Sequence, residues 1–136
     1  MPQGRNPVPG FARACIAAGA VLMFAGLVLG ALGTHLLAGR VAARELASYE
    51  TAVLYQLLHS VGLVVLGVVG LSTAITTPLR WSARLMAFGM ALFCGSIYLA
   101  TAGVPRVVLE AAPAGGTAMM LSWLLLAWHA ARSRTG

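Results

Sequence analysis

The sequence predicts an all-α fold, an integral-membrane bundle of four transmembrane helices, and three observations carry that prediction. Hydrophobic residues fill 60% of the 136 positions and charged residues only 9%, whereas an average soluble domain is roughly 25% charged. Charge-free intervals run over Ala14–Gly39, Thr51–Leu79, Leu85–Pro105 and Ala111–Ala131, and each reaches the length of about 20 residues that crosses a hydrocarbon core of roughly 30 Å. The charges between them are also sorted. Arg5, Arg13, Arg80, Arg84, Arg132 and Arg134 fall on one side of the membrane without an acid, while Arg40, Arg44 and Arg106 share the other with Glu45, Glu50 and Glu110. Because cytoplasmic loops collect arginine, both termini are expected in the cytoplasm. The four spans, about 11–37, 51–72, 82–103 and 114–131, make a single domain over 11–131. They leave no room for a separate soluble one.

Residues 1–10, with three prolines and two glycines and no periodicity, are expected as a disordered cytoplasmic tail, and 132–136 as a second tail. The first span runs from about Phe11 to Leu37. It is too long for the h-region of a secretory signal, about 7 to 15 residues, so it is expected to be retained. Gly19, Gly26 and Gly33 recur at heptad spacing along it and Gly26 pairs with Gly30, which marks a face where another helix backbone comes close. In the following segment Ala42, Leu46, Tyr49 and Val53 share a helical stripe. It predicts a short amphipathic helix on the outer face, with Tyr49 at the interface. An ordinary solvated connection is the competing reading.

The second span, from Thr51, places Thr51, Tyr55, His59 and Gly62 on one side with Gln56 on its flank. Val53, Leu54, Leu57, Val61, Val64, Val65 and Val68 occupy the other, expected to face lipid. Pro78 is expected to break the chain in the turn that follows, and Trp81 to anchor at the interface. Span three carries Ala83, Ala87, Ala91 and Gly95 at four-residue intervals, expected to be a ridge packed against another helix. The next connection holds Val107, Val108 and Leu109, apolar for an exposed loop, and is expected to be partly helical or to dip into the interface. Span four repeats the small spacing at Ala114, Ala118 and Ser122 and brings Trp128 and His129 to the cytoplasmic headgroup level. Cys15 and Cys94 fall at different depths, so no disulfide is expected.

Polar groups are expensive in hydrocarbon, so those of the second span raise the question of function. With Thr51 at the outer end, His59 lies roughly 12 Å in and Tyr55 and Gln56 at about half that depth. Tyr98 and Cys94 of span three reach similar levels, and His35 ends span one on the same side. Three readings compete: an interhelical hydrogen-bond network, a site open to the outer face for a lipid headgroup, quinone-like ring or small solute, and a metal site using His35 and His59. The last lacks an HxxxH or CxxC pair. Catalysis has weaker support still, because aspartate is absent and no serine sits in a GxSxG setting. No enzyme activity, cofactor or metal is expected. The basic balance of +6 comes from arginines flanking the spans and predicts no nucleic-acid partner.

Four stretches in order, "GALGTHLL" (30–37), "TAVLYQLLHS" (51–60), "LFCGSIYLA" (92–100) and "APAGG" (112–116), resemble the YgdD family. These are small bacterial inner-membrane proteins, with eukaryotic transmembrane relatives, whose domain is of unknown function. The resemblance covers about Ile16 to Ala130. It implies a multi-pass protein of the bacterial inner (plasma) membrane and assigns the family's polar positions to His35, Tyr55, Gln56, His59, Ser96 and Tyr98, with loop glycines at Gly115 and Gly116. The chain departs from the pattern at Thr34 and Leu36, where small residues are usual, and at Tyr49 in place of tryptophan. The expected role is a non-enzymatic accessory or assembly component; the alternative is a small-solute or lipid- or quinone-binding, transporter-like protein. The lipid bilayer is the expected partner, with a homo-oligomer or a larger membrane complex beside it.

Overall fold

A computed structural model describes residues 8–133, so most of the two expected tails lies outside the described residues. Four long helices form: α1 over Gly10–Leu32, continued by a π-helical turn at Gly33–Leu37, then α2 over Ala43–Ser72, α3 over Thr77–Thr101 and α4 over Ala112–Arg132. A 3-10 segment, Arg106–Ala111, leads into α4. All four are long and apolar enough to cross a membrane. The stretch 43–50 is helical without a break into the second span, so its stripe is the first two turns of α2 rather than a separate helix. Pro78 likewise sits in the first turn of α3. A missing N–H costs nothing there, so the proline starts the helix instead of breaking the chain before it.

α1 packs along α2 and α4 along α3, and α2 against α3 joins the two pairs. Both pairings rest on glycine. A Cβ at Gly19 would lie 2.6 Å from the Ser60 carbonyl and one at Gly67 would lie 2.9 Å from that of Ala12, which fixes α1 on α2. At the other seam, a Cβ at Gly89 would come within 2.7 Å of the Gly115 carbonyl, and one at Gly115 within 2.5 Å of the Phe93 nitrogen. Without side chains between them the backbones approach closely enough for dispersion to replace the hydrophobic effect, which is absent between helices in lipid.

Two expectations about packing are corrected by this arrangement. Gly95 has nothing within 4 Å of where a Cβ would be, and Ala87 and Ala91 are exposed, so only Ala83 of that ridge is buried. The close seam of α3 lies instead on the Gly89 side. Val53 is buried and Leu57 and Val64 abut Gly26 and Gly19 of α1, so these three do not face lipid. Because α2 is sandwiched between two helices, its outward stripe is narrow: Leu54, Tyr55, Leu58, Val61, Val65, Val68 and Leu71 are its exposed large apolar or aromatic residues.

The main apolar core, built around Leu63, Leu66, Leu79, Met86, Met90 and Met119, occupies the half of the bundle nearer the termini. Polar pins close that end. Ser82 donates to the Ser122 carbonyl across α3 and α4 at 2.7 Å. His129, expected among headgroups, is only 2% exposed, with Thr73 Oγ1 3.0 Å from its Nε2 and Thr76 Oγ1 2.8 Å from its Nδ1. The Thr73 hydroxyl already donates its one proton to the Val69 carbonyl. The histidine therefore donates from Nε2 and accepts from Thr76, tying the end of α4 to the turn between α2 and α3.

Candidate functional site

The polar groups gather in the half of the bundle away from the termini, where α1, α2 and α3 meet. Gln56, on the second span's first turns, is 6% exposed and reaches both neighbours. Its Nε2 donates to the Leu22 carbonyl of α1 at 2.9 Å, and its Oε1 accepts from the Tyr98 hydroxyl of α3 at 2.9 Å. Gly26 makes the first bond possible. A side chain there would crowd Leu57 and the Gln56 amide itself, at 2.8 and 3.4 Å.

The junction extends through Tyr98 to Tyr49, whose ring centroid lies 5.3 Å away. Tyr49 is 5% exposed, not an interface anchor, and its hydroxyl donates to the Leu29 carbonyl at 2.7 Å. Its ring rests where a Cβ of Gly33 would be. Just beyond, the ladder of α1 changes from four-residue to five-residue spacing, with Ala38 N–H reaching the Gly33 carbonyl. Thr34 donates to the Gly30 carbonyl on the same turn. Side chains thus support backbone acceptors where the helix changes pitch. Cys94 adds a thiol bond to the Ala52 carbonyl at 3.3 Å, and both cysteines are free and buried.

His59 belongs to a separate aromatic group. Its Nδ1 lies 2.7 Å from the Tyr55 carbonyl one turn back. A carbonyl only accepts, so Nδ1 donates, while Nε2 has no hydrogen-bond partner among the described residues. The ring stacks on Tyr55 at 5.9 Å and meets the edge of Trp123 at 6.1 Å, while Tyr55, 40% exposed, also contacts Phe93 at 5.1 Å.

Of the six candidate residues, the structure joins Gln56 to Tyr98 and Tyr55 to His59. Ser96 is buried but its hydroxyl bonds its own helix at the Phe93 carbonyl. His35 is exposed on the π-helical turn and makes no contact with the others. Among the described residues no three His, Cys, Asp or Glu side chains come together around a common point. Tyr49 was missed as a junction residue because its stripe in the sequence also fits an amphipathic surface. Its place in an i, i+3, i+7 series with Leu46 and Val53, both at least half-buried, was the available signal. Of the two candidate glycines, Gly115 is at the α3 seam, and a Cβ at Gly116 would meet only Phe93, at 3.8 Å.

A cavity of about 230 Å³ lies beside this junction, bordered by Leu22, Gln56, Ala91, Gly95 and Tyr98 among others. Gln56 and Tyr98 supply its polar groups, and both are engaged with each other. What the arrangement does chemically is to hold three helices at one level.

Comparison with known proteins places these features in a family. The family described as "Protein of unknown function (DUF423)" matches residues 29–116, a shorter stretch than the resemblance covered, though all four motifs fall within it. A UPF0382 membrane protein of Staphylococcus saprophyticus is 33% identical over 97 residues, 71% of this chain and 79% of that protein. One from Staphylococcus haemolyticus is 32% identical over 108 residues, 79% of this chain and 87% of its own length. The UPF0382 inner membrane protein YgdD of Escherichia coli K12 is 30% identical over 107 residues, 79% and 81% of the two chains. No solved structure matches the chain. With four helices able to span the bilayer and relatives of this kind along most of its length, the chain is a multi-pass inner-membrane protein and belongs to the DUF423 family of UPF0382, YgdD-type membrane proteins.

Proposed function

We propose that the protein is a non-enzymatic accessory or assembly component of its membrane, acting by packing against other membrane proteins rather than by turning over a substrate. The observation that carries this reading is Gln56, whose two ends are used to fasten α1 and α3 to α2. The most polar side chain of the bundle interior is thereby committed to architecture. Both termini face the cytoplasm, on the strength of the arginine asymmetry. The first two turns of α2 then form an amphipathic outer-face segment, where Glu45 stands 3.9 Å from Arg106.

The test is the state of the protein after gentle extraction from its native membrane. An accessory role predicts a particle with a second polypeptide in fixed stoichiometry. A monomer or homo-oligomer of the 14.0 kDa chain, stabilised by an added solute, would overturn it. That outcome would favour the second reading, a transporter-like protein binding a small solute, lipid or quinone. Two observations give that reading its support: His59 Nε2, which has no hydrogen-bond partner among the described residues, and the cavity beside Gln56 and Tyr98.

A further inference from the structure

Independently of the accessory role, we infer that the cleft between α1 and α3 holds a phospholipid with an anionic headgroup, its phosphate at Arg80 and Arg84 and one acyl chain lying along α3. α1 leans on α2 and α3 on α4, so the two inner flanks of α1 and α3 are left apart. Two cavities fill the space, and Ala87 borders both. The one nearer the termini, about 270 Å³, is walled by Phe11, Ala14, Ala18 and Leu63, with Arg80 and Arg84 at its mouth. The other is the cavity beside Gln56, about 230 Å³.

Three features match that occupant. The mouth carries two guanidinium groups and no acid, and neither arginine has an ion-pair partner among the described residues. Arg84 is poised over the exposed ring of Trp81 at 5.3 Å, at the level where a headgroup meets an aromatic belt. Beyond the mouth the wall of α3 is Ala83, Ala87 and Ala91, whose small side chains leave a channel instead of filling it. From Arg84 to Tyr98 that channel runs about 20 Å along the helix axis, more than the roughly 15 Å half-thickness of the hydrocarbon core. An acyl chain anchored at the arginines fits within it. This also accounts for Ala87 and Ala91, the small residues of the ridge left exposed on the cleft.

The experiment is native mass spectrometry of the purified full-length protein in mild detergent, titrated with phosphatidylglycerol or with phosphatidylcholine of the same acyl chains. Wild type should retain phosphatidylglycerol with a preference on the order of tenfold, since each arginine near the surface favours an anionic lipid. Arg80→Gln with Arg84→Gln should abolish the preference. Ala87→Leu or Ala91→Leu, at exposed positions, should leave the fold intact and reduce retention of both lipids by filling the channel. Equal retention of the two lipids by wild type, or unchanged retention in the arginine pair or in both leucine variants, would overturn the inference. Displacement of the lipid by millimolar inorganic phosphate would identify a soluble anion as the occupant instead. A shift in oligomeric state with Ala87→Leu would identify a second helix.

Discussion

Gln56 and His59 sit three residues apart on α2, yet the structure gives them different work. Gln56 bonds two neighbouring helices, whereas His59 bonds its own backbone and packs between Tyr55 and Trp123. Replacing Gln56 by leucine strands the Tyr98 hydroxyl and should cost about 1–3 kcal/mol, the usual penalty for an orphaned buried group. His59→Leu keeps an apolar ring-sized volume against Trp123 and should cost less. Since the two residues share no bond, their effects should add, and a double variant clearly more stable than that sum would mean a common network. Tyr49→Phe should lose roughly 0.6 kcal/mol, typical of one hydrogen bond in a bilayer, while His35→Ala, on an exposed turn, should stay within about 0.5 kcal/mol of wild type. Unfolding titrations in detergent read all four. That Gln56 and Tyr98 share a level was legible from the helical rise alone. Their bond was not, because it depends on α1 approaching through Gly26, and a single sequence does not show which glycine faces which helix.

The helices themselves were legible because hydropathy and length determine them, with ends displaced where a local rule was misjudged. Pro78 opens α3 instead of preceding it, and the amphipathic turns merge into α2. Packing faces were harder to read. Ala83–Gly95 and Gly89 are both small-residue signals on α3, separated by rotation about the axis, and sequence spacing alone ranks neither. The contacts decide it: Gly115→Ala should cost at least about 1–3 kcal/mol by overpacking the α3–α4 seam, with Gly89→Ala similar. Gly95→Ala, which opens on the cleft, should be neutral. Comparable losses at Gly95 and Gly115, measured by thermal unfolding in the same detergent, would mean that α3 is rotated from the orientation described.

At the scale of the whole molecule, two glycine-fastened pairs, α1–α2 and α3–α4, become one bundle at the α2–α3 seam. That seam is fastened by Tyr98 on Gln56 and Cys94 on Ala52 in one half, and by the core around Leu66 and Met86 in the other. The proposed orientation rests on the arginine asymmetry. Reporter fusions after Gly136 and near Ala47 should report the cytoplasm and the outside respectively, and signals from the same side at both would contradict a membrane crossing arrangement of this kind. The central claim, that the intramembrane polar residues hold the pairs together, is tested most directly by a double-mutant cycle of Gln56→Leu and Tyr98→Phe on the global unfolding free energy. The account predicts that each single change destabilises the protein and that the pair together costs less than their sum by about 0.6 kcal/mol or more. Additive effects, or a Gln56→Leu variant as stable as wild type, would contradict it.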